Sequence, residues 1–326
     1  MCAATNTDTL LREEPRHRVL GLIAGRRLRK RAAPYFLVAP AVAAIAAILA
    51  YPLCLLAVLS LQHYGIRQLF AHQGVWVGID NYWSLLGDAA FRAVVLRTLI
   101  FTFANVAATL VLGTLIALLM ERVLPVLRLV VMAGLVLVWA TPVVVAVDMW
   151  QWMFDYEFGI VNYALTHAGL GNFIHHSWFD NPIQGFTVIG IVIVWGAIPF
   201  VTVTLYAGLT QVPREIVEAA EVDGAGPLQV FRYVTVPVLR PIFVILATLS
   251  TIWDFQAFNQ VWIMLNARPS ADYMVMGVYS FVQAFKVSQY GEGAAIAVVM
   301  VVVLLLATAF YIRSYLRQAV GGLEGA

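Results

Sequence analysis

The stretch that decides the reading is Glu215–Pro241, "EIVEAAEVDGAGPLQVFRYVTVPVLRP". It holds Glu215, Glu218, Glu221, Asp223, Arg232 and Arg240, in a chain of 326 residues of which only 12% are charged. Just upstream, Pro213 suits the first turn of a helix. Glu215, Glu218 and Glu221 then share one side of that helix, while Ile216, Ala219, Ala220 and Val222 fill much of the rest. Gly224, Gly226 and Pro227 break it. "LQVFRYVTV" follows as a second short helix with Val230, Phe231 and Val234 apolar, and Pro237 and Pro241 are expected to end it. The pattern is an amphipathic helix–turn–helix with small residues at its bend. Such a surface can accept another protein at close range. An amphipathic loop resting on lipid has the same pattern, and the residues alone leave both readings open.

On either side of this hairpin the chain is apolar. Mean hydropathy is +0.84 and 62% of residues are hydrophobic, whereas a soluble domain carries about 25% charge. The apolar residues fall into six blocks: 35–61, 96–120, 127–150, 186–209, 241–263 and 294–315. Each is about 20 residues or more, enough to cross a bilayer as a helix. Pro40, Pro52, Gly113, Pro142 and Pro199 within them are tolerated where neighbouring helices satisfy the freed backbone groups. The expected fold class is therefore an all-α integral membrane protein with six transmembrane helices.

Lys and Arg set the expected sidedness. Arg12, Arg16, Arg18, Arg26, Arg27, Arg29, Lys30 and Arg31 crowd the N-terminal tail. With that tail inside, Arg122, Arg128, Arg214, Arg232, Arg240, Arg313 and Arg317 are inside too, and only Arg67, Arg92, Arg97, Arg268 and Lys286 are outside. Both termini and the hairpin are thus expected on the cytoplasmic side of a prokaryotic cell membrane. The expected organisation is a basic tail (1–34), a first transmembrane helix (35–61) read as an uncleaved anchor, and an outer loop (62–95). A five-helix core (96–316) containing the cytoplasmic loop 210–240 follows, then a C-terminal tail (317–326). The net charge of +2 reflects this sidedness and implies no nucleic-acid partner. Cys2 and Cys54 make no disulfide framework, no metal site is expected, and His175–His176 reads as a wet surface pair.

A family resemblance lies in these residues. Glu218-Ala219-Ala220, three residues, Gly224, nine residues, then Val234-Thr235-Val236-Pro237 resembles the EAA signature of permease subunits of binding-protein-dependent ABC importers. Val236 stands where Leu is usual. "YP" (Tyr51-Pro52), "VGIDNY" (Val77–Tyr82), "RTLIFT" (Arg97–Thr102), "WQWMFDYEFGIVN" (Trp150–Asn162), "YAGLTQVPREIVEAA" (Tyr206–Ala220) and "GEGAAIAV" (Gly291–Val298) are similar to the MalF-like carbohydrate branch, in order and over nearly the whole chain. After the fifth block the branch often reads "FDxIYxLTxGGP"; here "FNQVWIMLNARP" has Asn259 for Asp and Arg268 where Gly is common.

The resemblance implies the type I ABC importer permease (MetI-like) fold and a sugar-transport subunit rather than an enzyme. It implies a second, MalG-like permease subunit, two nucleotide-binding ATPase subunits, an extracytoplasmic solute-binding protein, a sugar substrate and a lipid bilayer as partners. The loop 210–240 would couple to the ATPase through Glu218, Ala219, Ala220, Asp223, Gly224, Phe231 and Pro237. Glu218 would meet basic ATPase groups, and Gly224 would permit the bend. ATP and Mg would be held by the partner ATPases, with no cofactor on this chain. The residues independently favour that division. A phosphate-cradling loop needs Gly-Lys followed by Ser or Thr, and Lys30 and Lys286, the two lysines, precede Arg31 and Val287.

Other classes fit less well. A secondary carrier is expected to show inverted repeats or several buried ionisable groups, and an intramembrane enzyme a nucleophile–base pair or metal ligands. Neither pattern stands out. Within the transporter reading, a di- or oligosaccharide is favoured over glycerol phosphate or another polyol ester, which wants fixed cations along its path. A polar substrate needs polar groups within the spans. Thr98, Thr102, Asn105 and Thr109 form one stripe; Trp195, Thr202 and Tyr206, near Pro199, form a second; Ser250, Thr251 and Asp254, followed by Phe258 and Asn259, form a third. Asn105, Trp195, Thr202, Tyr206, Asp254, Phe258 and Asn259 are the expected path residues.

Overall fold

The computed structural model describes residues 16–321, with side chains described for residue 35 and residues 37–313. The basic tail (1–34) and the C-terminal tail (317–326) fall outside the described side chains. The chain divides into a unit of residues 1–55 and a unit of residues 56–326. The first consists of most of helix α1 (Arg16–Ser60), which contains the apolar span Leu37–Ser60.

The second unit begins with the end of α1 and a short antiparallel pair, β1 (Gln62–His63) and β2 (Val75–Trp76), around α2 (Ile66–Ala71). Next comes α3 (Asp80–Gly87). The buried Asn81 of "VGIDNY" donates to the Ser60 and Gln62 carbonyls at 2.8 and 3.0 Å, and Tyr82 donates to Ser60 Oγ at 2.6 Å. That motif therefore fastens the connection to the end of α1.

The Asp88 carboxylate caps α4 (Ala89–Arg122) by accepting from the Ala90 and Phe91 N–H groups, which satisfies two of the donors a helix start leaves unpaired. The third apolar block is not one straight helix. α5 (Pro125–Ala140) and α6 (Val143–Met153) meet at 102°. Pro142 cannot donate to the helix and pushes the preceding Thr141 into extended backbone, φ −72 and ψ 124, as the residue before proline favours. At 1.5 Å per residue α5 alone is about 24 Å long, short of the roughly 30 Å hydrocarbon core.

Beyond α7 (Ile160–His167), Asn181 caps α8 (Pro182–Leu209) by accepting from Ile183 N–H, with Pro182 at the first helical position. α4 and α8 pair in parallel. A Cβ on Gly113 would come within 2.6 Å of Val201 Cγ1, and one on Gly190 within 2.9 Å of Asn105 Oδ1. Small residues thus let the two backbones approach, the usual means of packing helices where lipid removes the hydrophobic drive between them.

The hairpin follows as α9 (Arg214–Val222) and α10 (Pro227–Val230), then a π-helical turn (Phe231–Thr235) and α11 (Val236–Phe255). Here the expectation that Pro237 and Pro241 end the second short helix is corrected. The backbone continues through both prolines: the π turn pairs Val236 N–H with Phe231 C=O and Pro237 lies in the first turn of α11, where its missing donor costs little, while Pro241 is carried inside the helix. α11 stops at Gln256–Ala257; α12 (Phe258–Met264), α13 (Met276–Phe281) and α14 (Tyr290–Gly321) complete the unit. Among the described residues five helices are long and apolar enough to cross a membrane, or six with the α5–α6 pair taken as one bent span.

Candidate functional site

The hairpin is built by its glycine. Gly224 has φ +85, a region open to glycine and strained for other residues. Ala225 N–H reaches Ala220 C=O at 2.9 Å and Gly224 N–H reaches Glu221 C=O at 3.0 Å. This is the paired closure of a helix ended by a left-handed residue. Gln229 Oε1 then accepts from Gly226 N–H at 2.8 Å and starts α10. Glu218, Ala219, Asp223, Gly224 and Pro237 are exposed, and Ala220 and Phe231 half-buried. Beside the acids stand exposed apolar side chains: Val222, Leu228 and Tyr233. The sequence reading did not single these out as a group, because α9 contributes one and the segment after the bend the other two.

The expected path residues do not converge on one cavity. Asn105 and Trp195 line an open groove of about 920 Å³ between α4 and α8, together with Trp150, whose ring lies 5.8 Å from Trp195. Thr202 is buried beside Gly113 at the α4–α8 contact. Tyr206 sits under the Arg128 guanidinium, 5.4 Å from its ring centre. Phe258 stacks on Trp262 at 5.4 Å, and Asn259 is exposed. Thr98, Thr102, Asn105 and Thr109 are all buried on one face of α4. Thr98 Oγ1 accepts from Met276 N–H at 2.9 Å, whereas the Thr102, Thr109 and Thr202 hydroxyls have no hydrogen-bond partner. Asp254 is 4% exposed and its Oδ2 is likewise unpartnered. A polar group buried without a partner costs about 1–3 kcal/mol, so such groups call for a reason.

The sequence reading missed a group that includes Trp253, the residue before Asp254. Trp139 of α5, Phe200 of α8 and Trp253 of α11 form a chain of rings, with centroids 6.2 and 5.2 Å apart. Trp139 is 62% and Trp253 49% exposed. One turn before Phe200, nothing lies within 4 Å of where a Gly196 Cβ would be, so the surface beside the rings is open. By helix rise the three rings stand about 14–26 Å from the hairpin end of their helices, within the bilayer's depth. Three helices thus present aromatic faces, and in α11 the buried Asp254 follows the half-exposed Trp253 on a different side of the helix. The rings can stack the C–H face of a sugar ring.

A set of apolar spans, one of them sharply bent, with polar and aromatic groups within them and an exposed acidic hairpin at one end, defines a membrane transport component. The chain belongs to the family described as the binding-protein-dependent transport system inner membrane component, whose model matches residues 110–321. It is 42% identical over 286 residues to the diacetylchitobiose uptake system permease protein DasB of Streptomyces coelicolor, covering 88% of this chain and 87% of that one. It is 29% identical over 247 residues to the trehalose/maltose transport system permease protein MalF of Thermococcus litoralis, covering 75% and 81%. The fold is similar to a chain in the crystal structure of a bacterial ABC transporter involved in import of the acidic polysaccharide alginate. There the TM-score is 0.74 at 19% identity, over 89% of this chain and 98% of that one.

Proposed function

We propose that this chain is the membrane subunit of an ATP-driven importer of di- or oligosaccharides and forms one half of the translocation path. The observation that carries the sugar reading is the exposed Trp139–Phe200–Trp253 ring chain. The uptake systems named for DasB and the Thermococcus MalF, both for sugars, support it. A phosphorylated polyol is less well served. Among the described residues lining the groove Arg97 is the one cation, and its Nη1 is fixed on the Ala271 and Met274 carbonyls at 3.0 and 2.9 Å, so a single guanidinium would have to serve the phosphate.

In this reading a second, similar permease subunit faces the open side of the rings, and an extracytoplasmic binding protein delivers the sugar. Two ATPase subunits hold ATP and Mg on their own chains. The α9–α10 hairpin docks in an ATPase cleft through Glu218, Asp223 and the exposed Val222, Leu228 and Tyr233. The chain lies in the inner membrane of a prokaryote, with both termini cytoplasmic. Reconstitution of the four-component transporter in proteoliposomes tests the reading. ATP-dependent uptake of maltose, trehalose or N,N′-diacetylchitobiose is expected. Uptake of glycerol 3-phosphate alone, or uptake without ATP, would contradict it.

A further inference from the structure

The end of α8 opposite the hairpin carries a second, smaller pocket, of about 470 Å³. That is within the range of small-molecule sites. We propose that this pocket, formed by Tyr156, His175, His176, Ser177, Asp180, Asn181 and Gln184, is a separate saccharide site that holds a neutral sugar ring at the outer mouth of the transporter. The inference rests on the sugar-import reading.

The lining has the chemistry of a polyhydroxyl site. Gln184 Oε1 lies 3.1 Å from His176 Nε2, and Asn181 Oδ1 accepts from Ile183 N–H at 2.9 Å. Each amide carbonyl is therefore occupied, while each NH₂ group remains a donor for a ligand. The Asp180 carboxylate accepts, the Ser177 hydroxyl does both, and the exposed Tyr156 ring offers an apolar face. Alternating donors and acceptors on planar side chains, beside an aromatic ring, match neighbouring hydroxyls on a pyranose. Residues 151–185 contain Asp155, Glu157 and Asp180 and neither Lys nor Arg, with His175 and His176 as the basic groups of the lining; without a permanent cation the pocket is poorly suited to phosphates and acidic sugars. Among the described residues no group of three His, Cys, Asp or Glu side chains is placed to hold a metal.

The pocket is also held rigid from behind. Asn162 is buried; its Nδ2 donates to the His176 and Asp155 carbonyls at 3.1 and 3.3 Å, and its Oδ1 accepts from Trp178 Nε1 at 2.6 Å. Trp178 meets the His176 ring edge to face at 4.8 Å and stacks on Phe173 at 5.7 Å. On the other wall the Tyr273 hydroxyl reaches the Phe179 and Asn181 carbonyls at 2.9 and 3.1 Å. Burial, with Asp180 and Asp272 adding to it, pushes that phenol up to about 12, so it keeps the proton it donates. His175 holds φ +58, lies 3.5 Å from Glu157 and packs its ring against Tyr156 at 5.3 Å. A loop that commits a buried polar network to orienting one set of surface side chains is built like a ligand site held by its supporting contacts.

The test uses the assembled transporter in lipid nanodiscs, without its binding protein. Saturation-transfer NMR is recorded with maltose, trehalose and N,N′-diacetylchitobiose as probes, on a Trp139→Ala/Trp253→Ala background that removes stacking at the ring chain. Saccharide signal is expected to persist there and to fall about fivefold when Gln184→Ala or Asp180→Asn is added, the loss of about one hydrogen bond. Signal absent from the background, or unaffected by both added changes, overturns the site. Unaffected signal with a higher binding-protein concentration needed for half-maximal hydrolysis would make the pocket a protein-docking patch and overturns it equally. If the wild type imports none of the probes, the sugar reading itself falls; import without pocket-dependent signal removes the pocket alone.

Discussion

Phe200 of α8 and Trp253 of α11 meet edge to face, 5.2 Å between ring centres at 68°. Trp253 immediately precedes Asp254, whose Oδ2 is buried without a partner. A carboxyl at membrane depth costs about 2.5–3.5 kcal/mol even on lenient scales. Under the proposed sugar path, a hydroxyl that reached this carboxyl as the surrounding helices move would complete the missing hydrogen bond.

Gly224→Val tests the bend of the hairpin. Nothing lies within 4 Å of the added Cβ, so the effect is one of backbone conformation and not of crowding. Holding a non-glycine residue at φ +85 costs about 1–2 kcal/mol, more for a β-branched side chain. The variant is expected to assemble in the membrane but to lose most stimulation of ATP hydrolysis by the loaded binding protein. Wild-type stimulation would make the bend incidental.

Glu218→Lys tests docking. The side chain is exposed, so folding is expected to survive. Reversing a charge at a docking surface weakens association and alters its salt dependence. Co-purification with the ATPase subunits is expected to drop severalfold, and more at low salt than at high salt. Unchanged co-purification would return the hairpin to the lipid-surface alternative.

Gly113→Ala and Gly190→Ala test the α4–α8 contact. The new methyl groups would stand 2.6 Å from Val201 Cγ1 and 2.9 Å from Asn105 Oδ1. Overpacking of this kind costs about 1–3 kcal/mol. Each variant is expected to lower the melting temperature of the purified complex, while Gly134→Ala, with open space around its Cβ, is expected not to.

Sidedness is checked by labelling single cysteines in a background without Cys2 and Cys54. Gln73 and Gln229 are both exposed in the structure. A cysteine at Gln73 is expected to react with an impermeant reagent from outside the cell, and one at Gln229 only after the membrane is opened. Reaction of the Gln229 position from outside would overturn both the orientation and the docking role of the hairpin.

The apolar blocks and the glycine-broken hairpin were legible because each is local: a run of side chains sets a span, and Gly224 with Pro227 sets a bend. The buried face Thr98–Thr102–Asn105–Thr109 was legible as a stripe for the same reason. What that stripe meets was not, since Gly190 and Val201 come from a helix some 90 residues further on. The Thr141–Pro142 bend lay inside an apolar run whose hydropathy does not change, and proline in a membrane helix can kink or pass. Pro142 bends the chain where Pro237 and Pro241 do not; the π turn and first-turn position account for Pro237, and the continuation through Pro241 has no local sequence signal. Trp139, Phe200 and Trp253 share no sequence pattern. They become a group only when α5, α8 and α11 are placed side by side.

The most direct test measures sugar uptake and ATP hydrolysis in parallel on reconstituted transporters carrying Trp253→Ala or Asp254→Ala. Loss of one stacking face or one acceptor within the path is worth about 1–1.5 kcal/mol, roughly tenfold. Uptake is therefore expected to fall about tenfold or more, while assembly with the ATPase and hydrolysis of ATP remain. Normal uptake with unchanged sugar preference in both variants would contradict the account and place the path elsewhere.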